Sequence, residues 1–378
     1  MEKKESGIVL FPKTSELEMS YIGAEVIISP LGDTAEENWN ALAQNRSGIS
    51  FVEGAGYAGE GMYLAKMLAL NTTRRFENLL VQALTKVSAL IDSQIITSTR
   101  TIVIISSTKG ALDTNIKDQF AGPAAALTQR FKLANQPITV SNACISGVLA
   151  INTAGKLVEA GIYEHAIVIG CDVISDFVVN GFQSLFAVSD KPCAPFDNAR
   201  NGITLGEGCG AVVLSTSKDV FKEAPFQLLA GASANDANHI SGPSRTGEGL
   251  FRSVNKTLIS NKIDTAEIDF ICAHGTATIY NDEMESIAFD RLSMSDIPLS
   301  SLKGYFGHTL GAAGLIETAT SIQMMRNSEL VKSLGYSEKG TSKPLNVITV
   351  NEKRRLSAVL KTASGFGGGN ASLVIRSI

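Results

Sequence analysis

The chain has 378 residues, of which 44% are apolar and 19% are charged, and its formal net charge is −4. This composition is typical of a globular protein that is long enough for two domains or for one large duplicated fold. The acidic balance gives no general reason to expect nucleic-acid binding, and no apolar run reaches the roughly 18 to 20 residues of a transmembrane helix.

The N-terminus lacks the apolar core of a signal peptide, so none is expected there. Cysteine is sparse, forms no Cys-x-x-Cys pair and is odd in number. A disulfide framework is therefore not expected, and the pattern favours a cytoplasmic location. The cysteines are Cys144, Cys171, Cys193, Cys209 and Cys272.

The first part of the chain alternates strand-like and helical runs. Residues 1–22 are expected to form an irregular N-terminal extension, and regular structure begins after them. Helical periodicity is clearest over 74–91 and 146–161, where apolar residues recur every three to four positions. The β-branched and apolar runs predict strands at 23–29, 101–107, 138–143, 165–173 and 210–216.

A second series follows the same order of elements. Strands are predicted at 226–234, 268–275, 298–304, 356–364 and 371–377, with helices near 248–261, 282–293 and 310–327. Continuous apolar strands between helices indicate buried sheets in an α/β fold. The two series match in size and order, so we expect a duplicated architecture with halves at 23–220 and 221–378 and a seam within 217–225.

Cys144 stands at a junction that favours chemistry. The run PITVSNACISGVLAINTAGKL passes from a predicted strand directly into a predicted helix. Unpaired N–H groups and the helix dipole at such a position favour a thiolate, and Gly147 would allow another segment to approach closely. By residue type alone, a buried structural cysteine is the more common outcome, and the junction makes the two interpretations about equal.

Two histidines lie in glycine-rich junctions of the kind where α/β folds assemble sites. His274 follows a predicted strand in ICAHGTAT, and His308 lies in LKGYFGHTLGAAG, five residues after Lys303. A structural role is the default for a lone histidine, and we assign it to His165 and His239. A metal is the competing functional interpretation, but no His/Cys spacing matches a zinc motif, so no metal is expected.

Two further stretches are rich in glycine or charge. GFGGGN (365–370) and GEGCG (206–210) lack the GxGxxG pattern of a phosphate cradle, and GFGGGN fits better as a loop that turns backbone N–H groups toward a reacting carbonyl. PFDNARNGITLGEG carries Asp197, Arg200 and Glu207, which are expected to form an internal salt-bridge cluster that braces the site.

Together these stretches resemble the β-ketoacyl-acyl carrier protein synthases, the condensing enzymes of the thiolase fold. The resemblance is carried in family order by NACISG, AHGTAT, SLKGYFGHTLGAAG and SGFGGGN, with support from PFDNARNGITLGEG and SPLGDTAEENWNALAQNRSGIS. It runs from about residue 24 to 378. It implies the duplicated five-layered α-β-α-β-α sandwich of that fold and, because a histidine stands at 308, the elongating branch that uses malonyl-carrier protein.

The resemblance also implies roles for individual residues. Cys144 would hold the acyl group as a thioester, with an oxyanion hole from the backbone N–H groups of Cys144 and Phe366. His274 and His308 would stabilise the enolate formed when malonyl-carrier protein loses carbon dioxide, beside the fixed charge of Lys303. Remaining family matches are a structural Glu285 near Lys303, the phosphopantetheine contacts Thr276 and Thr278, and Ile145, which stands where a smaller residue is common and is expected to narrow the site.

The expected partners follow from the same resemblance. The enzyme would bind no cofactor itself and would take substrates on the phosphopantetheine arm of an acyl carrier protein, as a homodimer or as a heterodimer with a ketosynthase-like subunit. Carrier proteins are acidic, and Arg74 and Arg75 match the family's basic docking helix, although a solvated helix face explains them equally well. Departures from the family pattern favour a specialised role in polyene or other secondary lipid synthesis over housekeeping fatty-acid synthesis. Two alternatives are a non-elongating partner subunit that shapes chain length and a thiolase-like acyltransferase on coenzyme A esters.

Overall fold

The structure is a computed structural model that describes residues 19–67, 73–112, 114–236 and 242–378. The predicted irregular extension up to residue 18 and His239 lie outside the described residues. The first strand begins at Ser20, slightly earlier than predicted.

The described residues contain an element at each predicted strand and helix, together with several strands and helices that were not predicted. The strands are β1 Ser20–Ile28, β2 Ser50–Val52, β3 Met62–Ala65, β4 Thr101–Ser106, β5 Ile138–Val140, β6 His165–Asp172, β7 Leu205–Gly206, β8 Gly208–Ser215, β9 Phe226–Asn235, β10 Phe270–Cys272, β11 Leu299–Ser300, β12 Glu329–Leu330, β13 Glu352–Lys353, β14 Ala358–Gly365 and β15 Gly369–Arg376. The α-helices are α1 Ala35–Ala43, α2 Arg75–Leu90, α3 Ala121–Phe131, α4 Ser146–Glu159, α5 Asp176–Ser184, α6 Glu248–Asn261, α7 Ile279–Arg291, α8 Lys303–Phe306 and α9 Ala313–Asn327.

Three predicted strands are shorter than expected: 138–143 is found as Ile138–Val140, 268–275 as Phe270–Cys272, and 298–304 is reduced the most. The run 298–304 is extended only at Leu299–Ser300, because β11 lies at the sheet edge and its one strand neighbour, β10, ends at Cys272. The chain then turns into α8, so Lys303 begins a short helix instead of ending a strand.

Ten strands form one continuous sheet in the order β11-β10-β14-β15-β9-β1-β8-β6-β4-β5. Each half contributes five strands, and the five follow the same spatial order in both halves. The halves meet where β1 pairs antiparallel with β9, from Ser20 opposite Leu228 to Ile22 opposite Phe226. The duplicated α/β architecture predicted from the sequence is confirmed.

The hydrophobic core divides into layers because alternate residues of a strand face opposite sides of the sheet. Ile167 and Ile169 of β6 pack with α2 on the outer face of the first half, whereas Val168 packs with α4 and α9 on its inner face. The second half uses the other side of α4 and α9 and covers its own outer face with α6 and α7. The layers are therefore α, β, α, β, α, as the family resemblance implied.

The distribution of buried residues on a helix depends on the layer in which the helix lies. On α2 the buried residues recur at helical spacing, as expected for a helix with one covered face. Helix α9 is buried on almost every side, because it lies between the five strands of the first half and the five strands of the second half. Among the described helices, none combines the length and the apolar character that a membrane crossing requires.

The two central helices touch through glycine. A Cβ added to Gly147 of α4 would lie 2.8 Å from Cα of Gly314 of α9, and one added to Gly314 would lie 2.5 Å from the backbone nitrogen of Val148. Such distances leave no room for a side chain on either residue. The close approach expected of Gly147 is therefore present, and it brings together the segments that carry Cys144 and His308.

Candidate active site

Cys144 lies in the tight turn between the end of β5 and the start of α4. The preceding residue, Ala143, has a positive φ of 43°, which is a strained conformation for a residue with a Cβ. Ser146 holds the turn: its Oγ accepts the N–H of Asn142 at 2.7 Å and donates to the carbonyl of Ala143 at 2.6 Å. The turn presents the thiol at the junction that the sequence predicted.

His308 faces Cys144 from the second half of the chain. Its Nε2 lies 3.1 Å from Sγ of Cys144, and its backbone N–H donates to the carbonyl of Thr204 at 2.7 Å. The N–H of Leu310 donates to Nδ1 of the same ring at 3.2 Å. An Nδ1 that accepts a hydrogen bond carries no proton, so we assign the proton of the neutral ring to Nε2, facing the thiol.

His274 stands beside His308, with the two ring centroids 5.3 Å apart and nearly perpendicular. Lys303 binds it twice: Nζ lies 3.3 Å from Nδ1 of the ring and donates to the His274 carbonyl at 2.6 Å. Because an ammonium can only donate, Nδ1 of His274 is also the acceptor and its proton lies on Nε2. Both rings therefore present an N–H to the same space.

Glu285 binds the His274 loop directly and lies close enough to Lys303 for the charge of the lysine to act on its pKa. Its carboxylate accepts the backbone N–H groups of His274 at 3.0 Å and Gly275 at 2.6 Å. Burial, together with the neighbouring Asp282, raises the pKa of Glu285 to about 7. The structural role of Glu285 is therefore to hold the backbone of the loop that begins with His274 and Gly275.

The partner of Lys303 is Glu317, which the sequence analysis missed. Nζ of Lys303 lies 2.7 Å from Oε1 of Glu317, and Nζ of Lys361 lies 2.6 Å from Oε2. All three side chains are buried. The sequence signal was weak: one acidic residue within the small and apolar run of α9, and one lysine within the apolar strand β14.

The thiol of Cys144 and the rings of His274 and His308 are held in their neutral forms. Burial and the positive charges of Lys303 and Lys361 keep the pKa of His274 and of His308 well below the ordinary value, and His308 further lowers that of His274. Burial raises the pKa of the Cys144 thiol to about 11, against the opposing charge of Lys303. The helix mouth was expected to favour a thiolate, but in the closed resting site desolvation outweighs that effect.

The glycine-rich loop at 365–370 closes over Cys144. The backbone N–H groups of Phe366 and of Cys144 itself act on the sulfur and lower its pKa. A Cβ added to Gly365 would lie 3.1 Å from the backbone nitrogen of Cys144, so the loop approaches as closely as glycine allows. The Phe366 ring stacks on Phe182 at 5.7 Å. This arrangement suits the predicted oxyanion hole.

The thiol and both histidines line a cavity of about 520 Å³. Its lining also includes Thr276 and Thr278, whose hydroxyl oxygens lie 2.9 Å apart, and the apolar Phe182 and Ile203. Ile145 does not belong to the described residues that line this cavity. Its side chain is buried in the central core, so the expected narrowing of the site by Ile145 is not found in this cavity.

The expected salt-bridge cluster of Asp197, Arg200 and Glu207 does not form among the described residues. Asp197 accepts the backbone N–H groups of Ser337 at 2.7 Å and of Glu338 at 2.9 Å. Arg200 donates to backbone carbonyls, among them that of Asp197 at 2.9 Å. Arg200 also donates to the carbonyl of Gly340, so both side chains bind backbone groups of the loop at 337–340.

Glu207 pairs instead with Arg75, whose side chain is only 14% exposed. The carboxylate also accepts the N–H of Met67 at 2.7 Å and of Ile174 at 2.9 Å. Arg75 is thus committed to a buried partner and is not available as an exposed docking residue. Arg74 is exposed, and its docking role stays a prediction.

The donor set of the site does not suit a metal, although Cys144, His274 and His308 bring their ligand atoms within 4.8 Å of one another. Each ring would have to bind through Nε2, which carries the proton in the assigned tautomers. Moving that proton to Nδ1 would break the hydrogen bonds from Leu310 and Lys303 and place a cation beside an ammonium. The geometry favours two hydrogen-bond donors over two ligands.

Two family profiles match consecutive parts of this chain. The family profile described as "Beta-ketoacyl synthase, N-terminal domain" matches residues 95–220, and "Beta-ketoacyl synthase, C-terminal domain" matches residues 227–337. The 3-oxoacyl-[acyl-carrier-protein] synthase 2 of Rhizobium meliloti (strain 1021) is 32% identical over 67% of this chain. The match spans 63% of the length of that relative.

Solved structures match over nearly the whole chain. A ketosynthase in complex with its chain length factor from Xenorhabdus doucetiae is 27% identical, with a TM-score of 0.84 over 97% of this chain and 100% of that chain. A β-ketoacyl synthase from Burkholderia phymatum STM815 has a TM-score of 0.83 at 24% identity, over 96% of this chain and 100% of that one. The fold is therefore the thiolase fold of the ketosynthases. Since the two family profiles together cover more than half of the sequence, in order, this chain belongs to the β-ketoacyl synthase family.

Proposed function

We propose that this protein is a condensing acyltransferase, a β-ketoacyl-acyl carrier protein synthase that joins a malonyl unit to an acyl group held on Cys144. The observation that carries the proposal is the shared orientation of three groups. The thiol of Cys144 and the Nε2–H groups of His274 and His308 face one cavity, and the tautomers of both rings are held by donors to Nδ1.

The first step is acyl transfer to Cys144. The sulfur attacks the thioester carbonyl of the acyl carrier protein, a new carbon–sulfur bond forms, and the carrier thiol leaves with the proton that Cys144 gives up. The negative charge on the carbonyl oxygen would be held by the backbone N–H groups of Cys144 and Phe366, which already act on the sulfur. A thiol with a high pKa fits a mechanism in which the proton leaves during attack.

The second step is decarboxylation of a malonyl thioester. The carbon–carbon bond to the carboxylate breaks, carbon dioxide leaves, and the electron pair becomes an enolate. The Nε2–H groups of His274 and His308 would donate hydrogen bonds to the enolate oxygen. These hydrogen bonds become stronger as negative charge develops on that oxygen. The enolate carbon then attacks the acyl carbonyl on Cys144. The thiolate leaves and takes up a proton, and the product is longer by two carbons.

The partners follow from the same proposal. The substrates would arrive on the phosphopantetheine arm of an acyl carrier protein, with Thr276 and Thr278 placed along the cavity for its amide groups. The name of the Rhizobium relative includes such a carrier, and the Xenorhabdus ketosynthase forms a complex with a chain length factor. We infer a homodimer or a comparable heterodimer. Polyene or other secondary lipid synthesis and the cytoplasm, where the five free thiols would persist, are part of the proposal.

The test separates acyl transfer from carbon dioxide release. Wild type, Cys144→Ala and His308→Ala are each given acyl- and malonyl-carrier protein; intact mass reports the acyl adduct, and labelled carbon dioxide is counted. Cys171→Ala is the matched control, because that thiol is buried in the outer core, away from the cavity. Wild type and Cys171→Ala should form the adduct and release carbon dioxide, and Cys144→Ala should form no adduct.

His308→Ala should keep the adduct and lose most of the carbon dioxide release. An adduct on Cys144→Ala at the site would contradict the proposed nucleophile. Acyl transfer from coenzyme A esters without any carbon dioxide release, with carrier protein and a partner subunit present, would point to the thiolase-like alternative instead.

A further inference from the structure

Lys361 is a buried cation that the proposed mechanism does not use. It lies in the middle of β14 with no exposed surface. Its ammonium is fully engaged: Nζ lies 2.6 Å from Oε2 of Glu317 and donates to the carbonyls of Thr362 at 2.6 Å and Cys272 at 3.3 Å. Burying a lysine is costly, so a position that keeps one needs a reason.

The reason lies in how Glu317 is shared. One carboxylate oxygen pairs with Lys361 and the other with Lys303, at 2.6 and 2.7 Å. Two ammonium groups therefore meet a single carboxylate, and the buried cluster carries one uncompensated positive charge. Lys303 lies at the end of this chain of contacts nearest the reacting groups, 3.3 Å from Nδ1 of His274.

We propose that Lys361 is a positioning residue for the histidine pair. It shares the negative charge of Glu317 with Lys303, so that the cluster of Lys303, Glu317 and Lys361 behind His274 keeps a net positive charge. Without it, Glu317 and Lys303 would form a neutral pair. With it, the net charge favours the developing enolate and opposes protonation of both rings. The inference rests on the proposed function for its catalytic meaning, but the charge itself can be tested without substrate.

The other titratable groups that face Lys361 do not neutralise the positive charge of the cluster. On β10, the Cys272 thiol is neutral because burial raises its pKa. On α7, Glu285 lies near enough to raise the pKa of Lys361, but its own pKa is about 7, so it supplies only part of a negative charge. Despite its burial, Lys361 has a raised pKa, and Lys303 and Lys361 together lower that of Glu317. Lys361 also contributes to the lowered pKa of both histidines.

The test is a double-mutant cycle that changes the net charge of the cluster. Lys361→Met takes the formal cluster charge from +1 to 0, Glu317→Gln takes it to +2, and the double variant Lys361→Met/Glu317→Gln restores +1. The chain has only four histidines, so ¹⁵N-histidine NMR against pH can follow each ring once it is assigned by substitution. Unfolding curves check that each variant is folded.

In wild type we expect His274 and His308 to titrate well below the ordinary value of 6.5. Lys361→Met should raise both midpoints by about one pH unit, and the double variant should return them toward wild type. Midpoints unchanged in Lys361→Met, or a double variant that shifts as far as Lys361→Met, would overturn the inference, because a packing role predicts no recovery of titration from a second substitution.

Two further measurements keep the result clear. If Lys361→Met does not fold, ¹⁵N-lysine NMR of wild type decides, since a neutral amine at Lys361 near pH 8 would contradict the inference and an ammonium would support it. With malonyl-carrier protein, carbon dioxide release should fall about tenfold in Lys361→Met and recover in part in the double variant. If the wild type releases no carbon dioxide, the proposed function is wrong. The histidine titration would still test whether the cluster carries a net positive charge.

Discussion

Nε2 of His308 lies 3.1 Å from Sγ of Cys144, although 164 positions separate the two residues in the sequence. Cys144 precedes α4 in the first half, and His308 precedes α9 in the second. The two helices are in backbone contact at Gly147 and Gly314. The pair therefore depends on the duplicated architecture: each half supplies one residue, and the packed central layer brings the two together.

The reactivity of Cys144 should depend steeply on pH. Because burial raises the thiol pKa to about 11, the thiolate fraction near pH 7 is about one in ten thousand. Only the thiolate is alkylated, so the rate with iodoacetamide should rise about tenfold per pH unit and continue to rise above pH 9. Quenching the reaction at a series of times and measuring the intact mass of the protein gives this rate.

A variant of Lys303 tests the cause of the shift. The positive charge of Lys303 opposes the effect of burial on the thiol pKa, so Lys303→Met should slow alkylation at every pH below the plateau. Cys144→Ala gives the background from the remaining, buried cysteines. A wild-type rate that levels off near pH 8 would mean that the site stabilises the thiolate in the resting enzyme.

Much of the fold follows from periodicity. The helix predicted at 248–261 is found over those residues, because its apolar face and its polar face are distinct. The strand predicted at 298–304 failed in its second half, since its apolar residues are buried by a turn and a short helix instead of by a sheet. Burial is visible in sequence, but the element that provides it depends on tertiary neighbours.

The site divides in a similar way. Cys144 follows a strand and precedes a helix, and His274 and His308 each stand next to a glycine, which are local signals. Glu317 and Lys361 carry no such signal, because each is one charge within an apolar run and their pairing is long-range. Arg75 is a further case: a docking role and a solvated helix face both require an exposed side chain, and its buried partner Glu207 lies 132 positions away.

Arg74 and Arg75 should behave differently although they are neighbours. Arg75→Ala would leave Glu207 buried without its cation, which costs about 3 kcal/mol of unfolding free energy. Arg74 is exposed, and Arg74→Ala should change stability by less than about 0.5 kcal/mol while raising the KM for carrier protein severalfold, most clearly at low salt. Urea unfolding and carrier-protein titrations separate the two effects. An unchanged KM in Arg74→Ala would remove it from the docking surface.

Ile145 should affect stability more than substrate choice. Its side chain packs in the central core, where its Cδ1 would lie 2.9 Å from a Cβ added to Gly369. Ile145→Val should cost about 1 kcal/mol and Ile145→Ala about 2 to 5 kcal/mol, with the distribution of product chain lengths unchanged. Phe182→Ala is the comparison, because that ring lines the cavity. A change of product length in Ile145→Val would show that Ile145 reaches the acyl chain.

Gly147→Ala tests whether the crossing of the central helices sets the active-site geometry. The new methyl group would lie 2.8 Å from Cα of Gly314 and 2.9 Å from the backbone nitrogen of Leu315. Backbone atoms cannot move aside as a side chain can, so α4 and α9 must separate. We expect a loss of about 1 to 3 kcal/mol in unfolding free energy, and a longer distance between Cys144 and His308 that lowers condensation activity.

Gly155→Ala is the matched control on the same helix. There the added methyl group would lie 3.2 Å from Cδ2 of Leu228, the flexible end of a side chain that can shift by a few tenths of an ångström. Alanine also favours the helix over glycine by up to about 1 kcal/mol. Gly155→Ala should therefore be close to wild type in stability and activity, so that a difference between the two variants reports the contact and not helix propensity. If Gly147→Ala matches Gly155→Ala in both measurements, the backbone contact at Gly314 does not hold Cys144 against His308.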